Sequence, residues 1–251
     1  MSRSKRTPTA DPRRRSRAVR TLIAAPLLAA LGFLGQLAVP AQAAMAQAAW
    51  QSCDQWGNWQ SPDGYILYNN IWGSGAGGQC ISAESAHNWT VDADHPNTGG
   101  IKSYPNAKWI VNEPVSRIDR LDSSYDVTVP SSGAYNTTYD VWDVDYDYEV
   151  MLWMNWTGPV GPLGQFRTTV ALGGHTWDVY SGSNGSNEVF SFLRHGDSTA
   201  GQVDLLAVLR WLSDEGWWGD VTVGDVQFGY EITSAAGGLE FTTNDFDVTS
   251  G

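Results

Sequence analysis

From Gly64 onward the chain runs in short stretches rich in Val, Thr, Tyr and Trp, parted by clusters of Gly, Asn, Ser and Pro. These are β-type runs bounded by turn signals: Gly64 to Ile71, Trp109 to Val111, Tyr125 to Val129, Tyr148 to Trp156, Arg167 to Leu172, Thr176 to Tyr180, Glu188 to Leu193, Val223 to Thr233 and Glu240 to Val248. Runs spaced in this way predict an all-β architecture, a jelly-roll sandwich of two stacked antiparallel sheets. One segment departs from the pattern. Between Val203 and Ser213, the residues Leu205, Val208, Leu209 and Leu212 recur at i, i+3, i+4 and i+7, which predicts a single packed helix stopped near Gly216.

Side chains of a strand alternate between faces, so two of the runs can be divided into a core side and an open side. From Tyr148 to Asn155, one side collects Val150, Leu152 and Met154 and the other Glu149, Met151, Trp153 and Asn155. From Val226 to Thr233, an apolar side of Val226, Phe228, Tyr230 and Ile232 leaves Gln227, Gly229, Glu231 and Thr233 opposite. Each run thus carries one glutamate near mid-strand on its open side. Taken singly, such a glutamate is most often an ordinary solvated residue. Two in matched settings on a concave sheet form the minimal apparatus for glycoside hydrolysis, one carboxylate as nucleophile and the other as acid and then base. A third acid follows from the hairpin that Thr138–Trp142 and Tyr148–Trp156 would form. A two-residue turn at Val144-Asp145 sets Asp140 directly opposite Glu149, where a proton on Asp140 would keep Glu149 ionised.

Charge changes the picture by being segregated. Of 15 Lys and Arg, eight lie before Ala44 with one acid, leaving 7 basic against 26 acidic side chains, a net of −19, on residues 45–251. The basic stretch ending at Arg20, the apolar run from Thr21 and the small residues Ala41-Gln42-Ala43 have the three-part form of a secretory signal peptide, so residues 1–44 are expected to be removed and the protein secreted. Residues 45–251 are then expected to form one domain, since no linker-like tract interrupts them. Its acidity disfavours nucleic acid and anionic membrane surfaces as partners. All 13 Trp lie in the acidic part, which excludes disorder and supplies aromatic surface. Cys53 and Cys80, the two cysteines, are expected to bridge in an oxidising compartment, a nucleophilic thiol being the alternative. Asp143, Asp145 and Asp147 lack the Gly and distal Glu of a helix-loop-helix calcium site, and the four histidines show no paired spacing. Neither a metal nor a cofactor is expected.

Seven ordered stretches resemble the family 12 glycoside hydrolases, secreted endo-β-1,4-glucanases on a jelly roll. They are Cys53-Asp54-Gln55-Trp56, Asn69-Asn70-Ile71-Trp72-Gly73, Lys102-Ser103-Tyr104, Thr138-Tyr139-Asp140, Tyr148-Glu149-Val150-Met151-Leu152-Trp153, Gly158-Pro159-Val160-Gly161 and Gln227-Phe228-Gly229-Tyr230-Glu231. The resemblance implies Glu149 as nucleophile, Glu231 as acid/base and Asp140 as its assistant. It places Trp56, Asn70, Trp72, Met151 and Trp153 on substrate and pairs Cys53 with Cys80. It further implies action on β-glucan polysaccharide, cellulose and soluble β-glucans, by double displacement; a monomer is expected. Xyloglucan on the same fold, and a lectin-like jelly roll without catalysis, are the alternatives. Compared with the family, the stretch between Asp140 and Glu149 is short, which would reshape one end of the cleft.

Overall fold

A computed structural model describes residues 48–251; the expected signal segment lies outside the described residues. The strands in chain order are β1 Trp50–Ser52, β2 Asn58–Gln60, β3 Ile66–Tyr68, β4 Gly78–Ala83, β5 Trp89–Asp94, β6 Asn106–Pro114, β7 Leu121–Thr128, β8 Ala134–Asp143, β9 Tyr148–Thr157, β10 Gln165–Leu172, β11 His175–Ser183, β12 Glu188–Arg194, β13 Ala200–Asp204, β14 Thr222–Ser234 and β15 Leu239–Ser250, with helix α1 at Leu205–Asp214. They build two sheets, one of six strands in the order β1-β4-β5-β15-β7-β13 and one of nine in the order β10-β11-β12-β9-β8-β14-β6-β3-β2. The jelly-roll sandwich expected from the spacing is what forms.

The core lies between the sheets and follows the alternation read from the sequence. Val150, Leu152 and Met154 of β9 and Val226, Phe228, Tyr230 and Ile232 of β14 are all buried there. Aromatic pairs bridge the two layers: Phe228 stacks on Phe246 at 5.1 Å, Trp89 meets Tyr230 at 5.4 Å and Tyr135 meets Phe241 at 4.9 Å. Each adds roughly 0.5–1.5 kcal/mol beyond the area it buries. Helix α1 buries Leu205, Val208, Leu209 and Leu212 and packs near β7. The Asp204 carboxylate accepts from the Ala207 amide at its start, and Gly216, at φ +70°, closes its end, with the Trp217 amide donating to Leu212 and that of Gly216 to Ser213.

Two features of the nine-stranded sheet differ from expectation. First, β9 and β12 run parallel, with Val189 beside Glu149, whereas antiparallel pairing was expected throughout. The intervening β10–β11 hairpin carries the chain across the sheet and returns it in the same direction. Second, the β8–β9 hairpin is shifted by two residues: Trp142 faces Glu149, and Asp140 faces Met151. The turn has four residues, 144–147, rather than two. Asp143 explains it, because its carboxylate accepts from the amides of Asp145 (3.1 Å) and Tyr148 (2.8 Å) while Tyr146 takes φ +60°. A shift of two preserves parity, so Asp140 remains on the face of Glu149 as its diagonal neighbour.

Candidate active site

The outward side of the nine-stranded sheet holds a cavity of about 720 Å³ whose walls include Asp140, Glu149 and Glu231. Three strands present them: β9 carries Glu149, β14 carries Glu231, and β8 between them carries Asp140. The open-side residues Met151, Trp153 and Gln227 line the same cavity, as the alternation of β9 and β14 requires. Asn70 and Trp72 also line it. Asn70 sits at φ +43°, a conformation Asn tolerates better than most residues, and its Nδ2 donates to the Tyr104 carbonyl at 3.1 Å.

The expected binding residues are not equivalent. Trp72 is 48 % exposed and offers an open indole face, whereas Trp153 is only 2 % exposed and forms wall, edge-on to Trp156. Met151 is likewise buried wall. Trp56, 58 % exposed, does not line this cavity; it stands on a separate shallow depression with Trp50, Asp54 and Gln55. The Cys53–Cys80 bridge forms and ties the segment bearing Trp56 to β4. Trp177 and Trp218 are buried in the core, as packing residues.

Electrostatics separates the three acids. Burial pushes the Asp140 carboxyl far above the ordinary range, and the negative charge of Glu149 pushes it further, so it stays protonated. Glu149 is also raised by burial, but two donors oppose the rise, the Asn187 amide and the Asp140 carboxyl. Glu231 is pushed up to about 7, first by burial and then by the Glu149 charge, against the lowering effect of the Asn136 amide. Glu231 on β14 is therefore half protonated near neutrality and increasingly protonated below it, whereas Glu149 on β9 has two donors that favour its charged form. Among the described residues, no three His, Cys, Asp or Glu side chains converge as metal ligands.

Sequence reasoning missed the two amides. Asn136, buried on β8, lies directly across from Glu231 and its Nδ2 donates to Oε2 at 2.7 Å. Asn187, in the β11–β12 loop just before β12, donates from Nδ2 to Glu149 Oε2 at 3.0 Å. Knowing that β8 pairs with β14 would have exposed the first; the second depends on the parallel β9–β12 register, which local pattern does not encode. Trp142 of β8 and Tyr146 of the β8–β9 turn, with ring centroids 5.6 Å apart, also line the cavity and were not anticipated there.

Residues 63–249 match the model of glycosyl hydrolase family 12. The chain belongs to glycosyl hydrolase family 12. As a member of that endoglucanase family it is a glycoside hydrolase. It is 31 % identical over 217 residues to a protein of Aspergillus terreus described as "Probable xyloglucan-specific endo-beta-1,4-glucanase A", covering 78 % of this chain and 86 % of that one. Among solved structures, the xyloglucanase domain of NopAA from Sinorhizobium fredii, in complex with cellobiose, superposes with a TM-score of 0.79 at 37 % identity, covering 82 % of this chain and all of that one. Endoglucanase cel12A from Rhodothermus marinus superposes at 0.74 with 25 % identity, over 80 % of this family 12 chain and 99 % of the other.

Proposed function

We propose that this family 12 hydrolase cleaves internal β-1,4-glucosidic bonds with retention of anomeric configuration. The observation that carries the reading is the contrast between two carboxyls in one cavity: Glu231 is pushed up to about 7, so that it carries a proton below neutrality, while Glu149 has two donors that favour its anion. Glu149 attacks the anomeric carbon as Glu231 protonates the departing oxygen, giving a glycosyl ester on Glu149. Esterification removes the Glu149 charge that raised Glu231, so Glu231 ionises more readily when it must take a proton from water. Protonated Asp140 stabilises the Glu149 anion before attack and the displaced carboxylate afterwards. Trp72 stacks on a sugar ring and Asn70 meets ring hydroxyls, while the buried Trp153 shapes the wall behind them. A lectin reading has no use for this polarised pair of acids.

The polymer is a second question. The names borne by the Aspergillus and Sinorhizobium relatives favour xyloglucan over unbranched glucan, and Trp142 near the end of β8, with Tyr146 of the 144–147 turn, adds aromatic surface to the cavity. Comparing kcat/KM on xyloglucan, mixed-linkage β-glucan and carboxymethylcellulose decides the preference. Absence of reducing-sugar release from all three overturns the hydrolytic reading. Residues 1–44 act as the export signal and 45–251 as one monomeric catalytic domain in this account. Amino-terminal sequencing of protein recovered from culture medium tests the cleavage, and light scattering tests the monomer.

A further inference from the structure

The β11–β12 loop carries a one-way chain of amide donors that ends on Glu149. Asn184 Oδ1 accepts from the backbone amides of Ser186 (2.9 Å) and Asn187 (3.0 Å), which fixes its amide orientation. Its Nδ2 then donates to Asn187 Oδ1 at 2.7 Å, and Asn187 Nδ2 donates to Glu149 Oε2 at 3.0 Å. No member can be flipped. Turning Asn187 over would set its oxygen against a carboxylate and its nitrogen against another amide nitrogen. The loop is held in place independently, by Ser183 Oγ donating to the Asn187 carbonyl and by the Glu188 amide donating to the Asp147 carbonyl. Asn187 is 7 % exposed, so its amide competes with little water.

We propose that Asn187, oriented by Asn184, is a positioning residue for Glu149: it immobilises Oε2 and favours the anion, leaving Oε1 to attack. The proposal rests on Glu149 being the nucleophile. It identifies a part of the machinery that lies on a loop remote in sequence from the three acids, delivered by the parallel register of β12 against β9. A hydrogen bond to a charged group is stronger than a neutral one, so its loss should be visible in the ionisation of the acceptor.

The experiment is the pH dependence of kcat/KM on a soluble β-glucan for Asn187→Leu, Asn187→Asp and Asn184→Ala, with thermal midpoints recorded alongside. Activity needs the Glu149 anion, so the acidic limb reports that group. Asn187→Leu should move the acidic limb up by about one pH unit, costing roughly tenfold in kcat/KM on the acid side, with KM little changed. The isosteric Asn187→Asp keeps the loop's acceptor for Asn184 and puts a like charge on Glu149, so its acidic limb should move further. Asn184→Ala should shift it in the same direction by less. An acidic limb at the wild-type position in both Asn187 variants overturns the proposal, even where the thermal midpoint falls, since that would make Asn187 merely structural. Glu149→Gln separates the two levels: an inactive Glu149→Gln with unmoved Asn187 limbs sinks only the role of Asn187, whereas an active Glu149→Gln sinks the nucleophile assignment beneath it.

Discussion

Replacing Asn136 by Ala should make the enzyme tolerate higher pH. The buried Asn136 amide donates to Glu231 Oε2 at 2.7 Å from the directly opposed position on β8, and this bond is available in full only to the ionised carboxylate. Glu231 stands at about 7 with the amide in place, since burial and the Glu149 charge raise it more than Asn136 lowers it. A hydrogen bond to a charged group is worth about 1.5–3 kcal/mol, and 1.36 kcal/mol corresponds to one pH unit, so removing it should raise the group by about one to two pH units. In the proposed mechanism activity requires protonated Glu231 in the first step and is lost as pH rises through its pKa. The alkaline limb of kcat/KM should therefore move upward while the acidic limb, which belongs to Glu149, stays in place. The assay is initial-rate kinetics on an aryl β-cellobioside across the pH range, with absolute activity expected to fall because the carboxyl is less well oriented. An alkaline limb that stays put or moves down would refute the assignment of Glu231 as the acid, or of Asn136 as its tuning partner.

Other consequences are separable from that one. Because folding raises Glu231 from 4.5 to about 7, the folded state binds its proton more tightly, and stability declines as pH rises between those values. Glu231→Gln should thus be more stable than the parent above neutrality, by on the order of 3 kcal/mol, and nearly equal to it below pH 4.5; thermal unfolding at both ends of the range checks this. Lys108 and Asp225 form a largely buried ion pair at 3.0 Å. Lys108→Met strands the Asp225 charge and should cost about 3 kcal/mol in denaturant unfolding, most of it recovered in a double variant that also makes Asp225 apolar. Trp72→Ala removes a half-exposed indole from the cavity and should raise KM about tenfold, whereas Trp56→Ala should leave the kinetics of short cello-oligosaccharides within about twofold.

Much of this was legible in the sequence because alternation is a local property. The faces of β9 and β14 could be divided residue by residue, and the helix from Leu205 to Leu212 declared itself by period. Less apolar strands did not: β4 reads Gly-Gln-Cys-Ile-Ser-Ala, and β5 reads Trp-Thr-Val-Asp-Ala-Asp with only three apolar residues, so both gained their identity from their neighbours in the six-stranded sheet. The register of Asp140 was misread by two because the Asp143 side chain makes the turn's hydrogen bonds itself, which allows a longer loop than the two-residue default. Burial was equally out of reach. Nothing in the spacing of Trp56, Trp72 and Trp153 distinguishes an indole on a separate depression from one on an open platform and one in a wall.

The two amides show the limit most clearly. Asn136 and Asn187 are ordinary residues until β8 is laid against β14 and β12 beside β9, after which each meets one glutamate. The site thus combines three acids with a sequence signature and two neutral side chains without one.

The central claim is that Glu149 forms a covalent bond to sugar. Incubation with an activated 2-deoxy-2-fluoro cellobioside, which slows breakdown of a glycosyl ester, followed by proteolysis and mass spectrometry, tests it most directly. A single fluorocellobiosyl group on the peptide carrying Glu149, absent after Glu149→Gln, is the predicted result. Turnover with no adduct, or an adduct on Glu231 or Asp140, would contradict it.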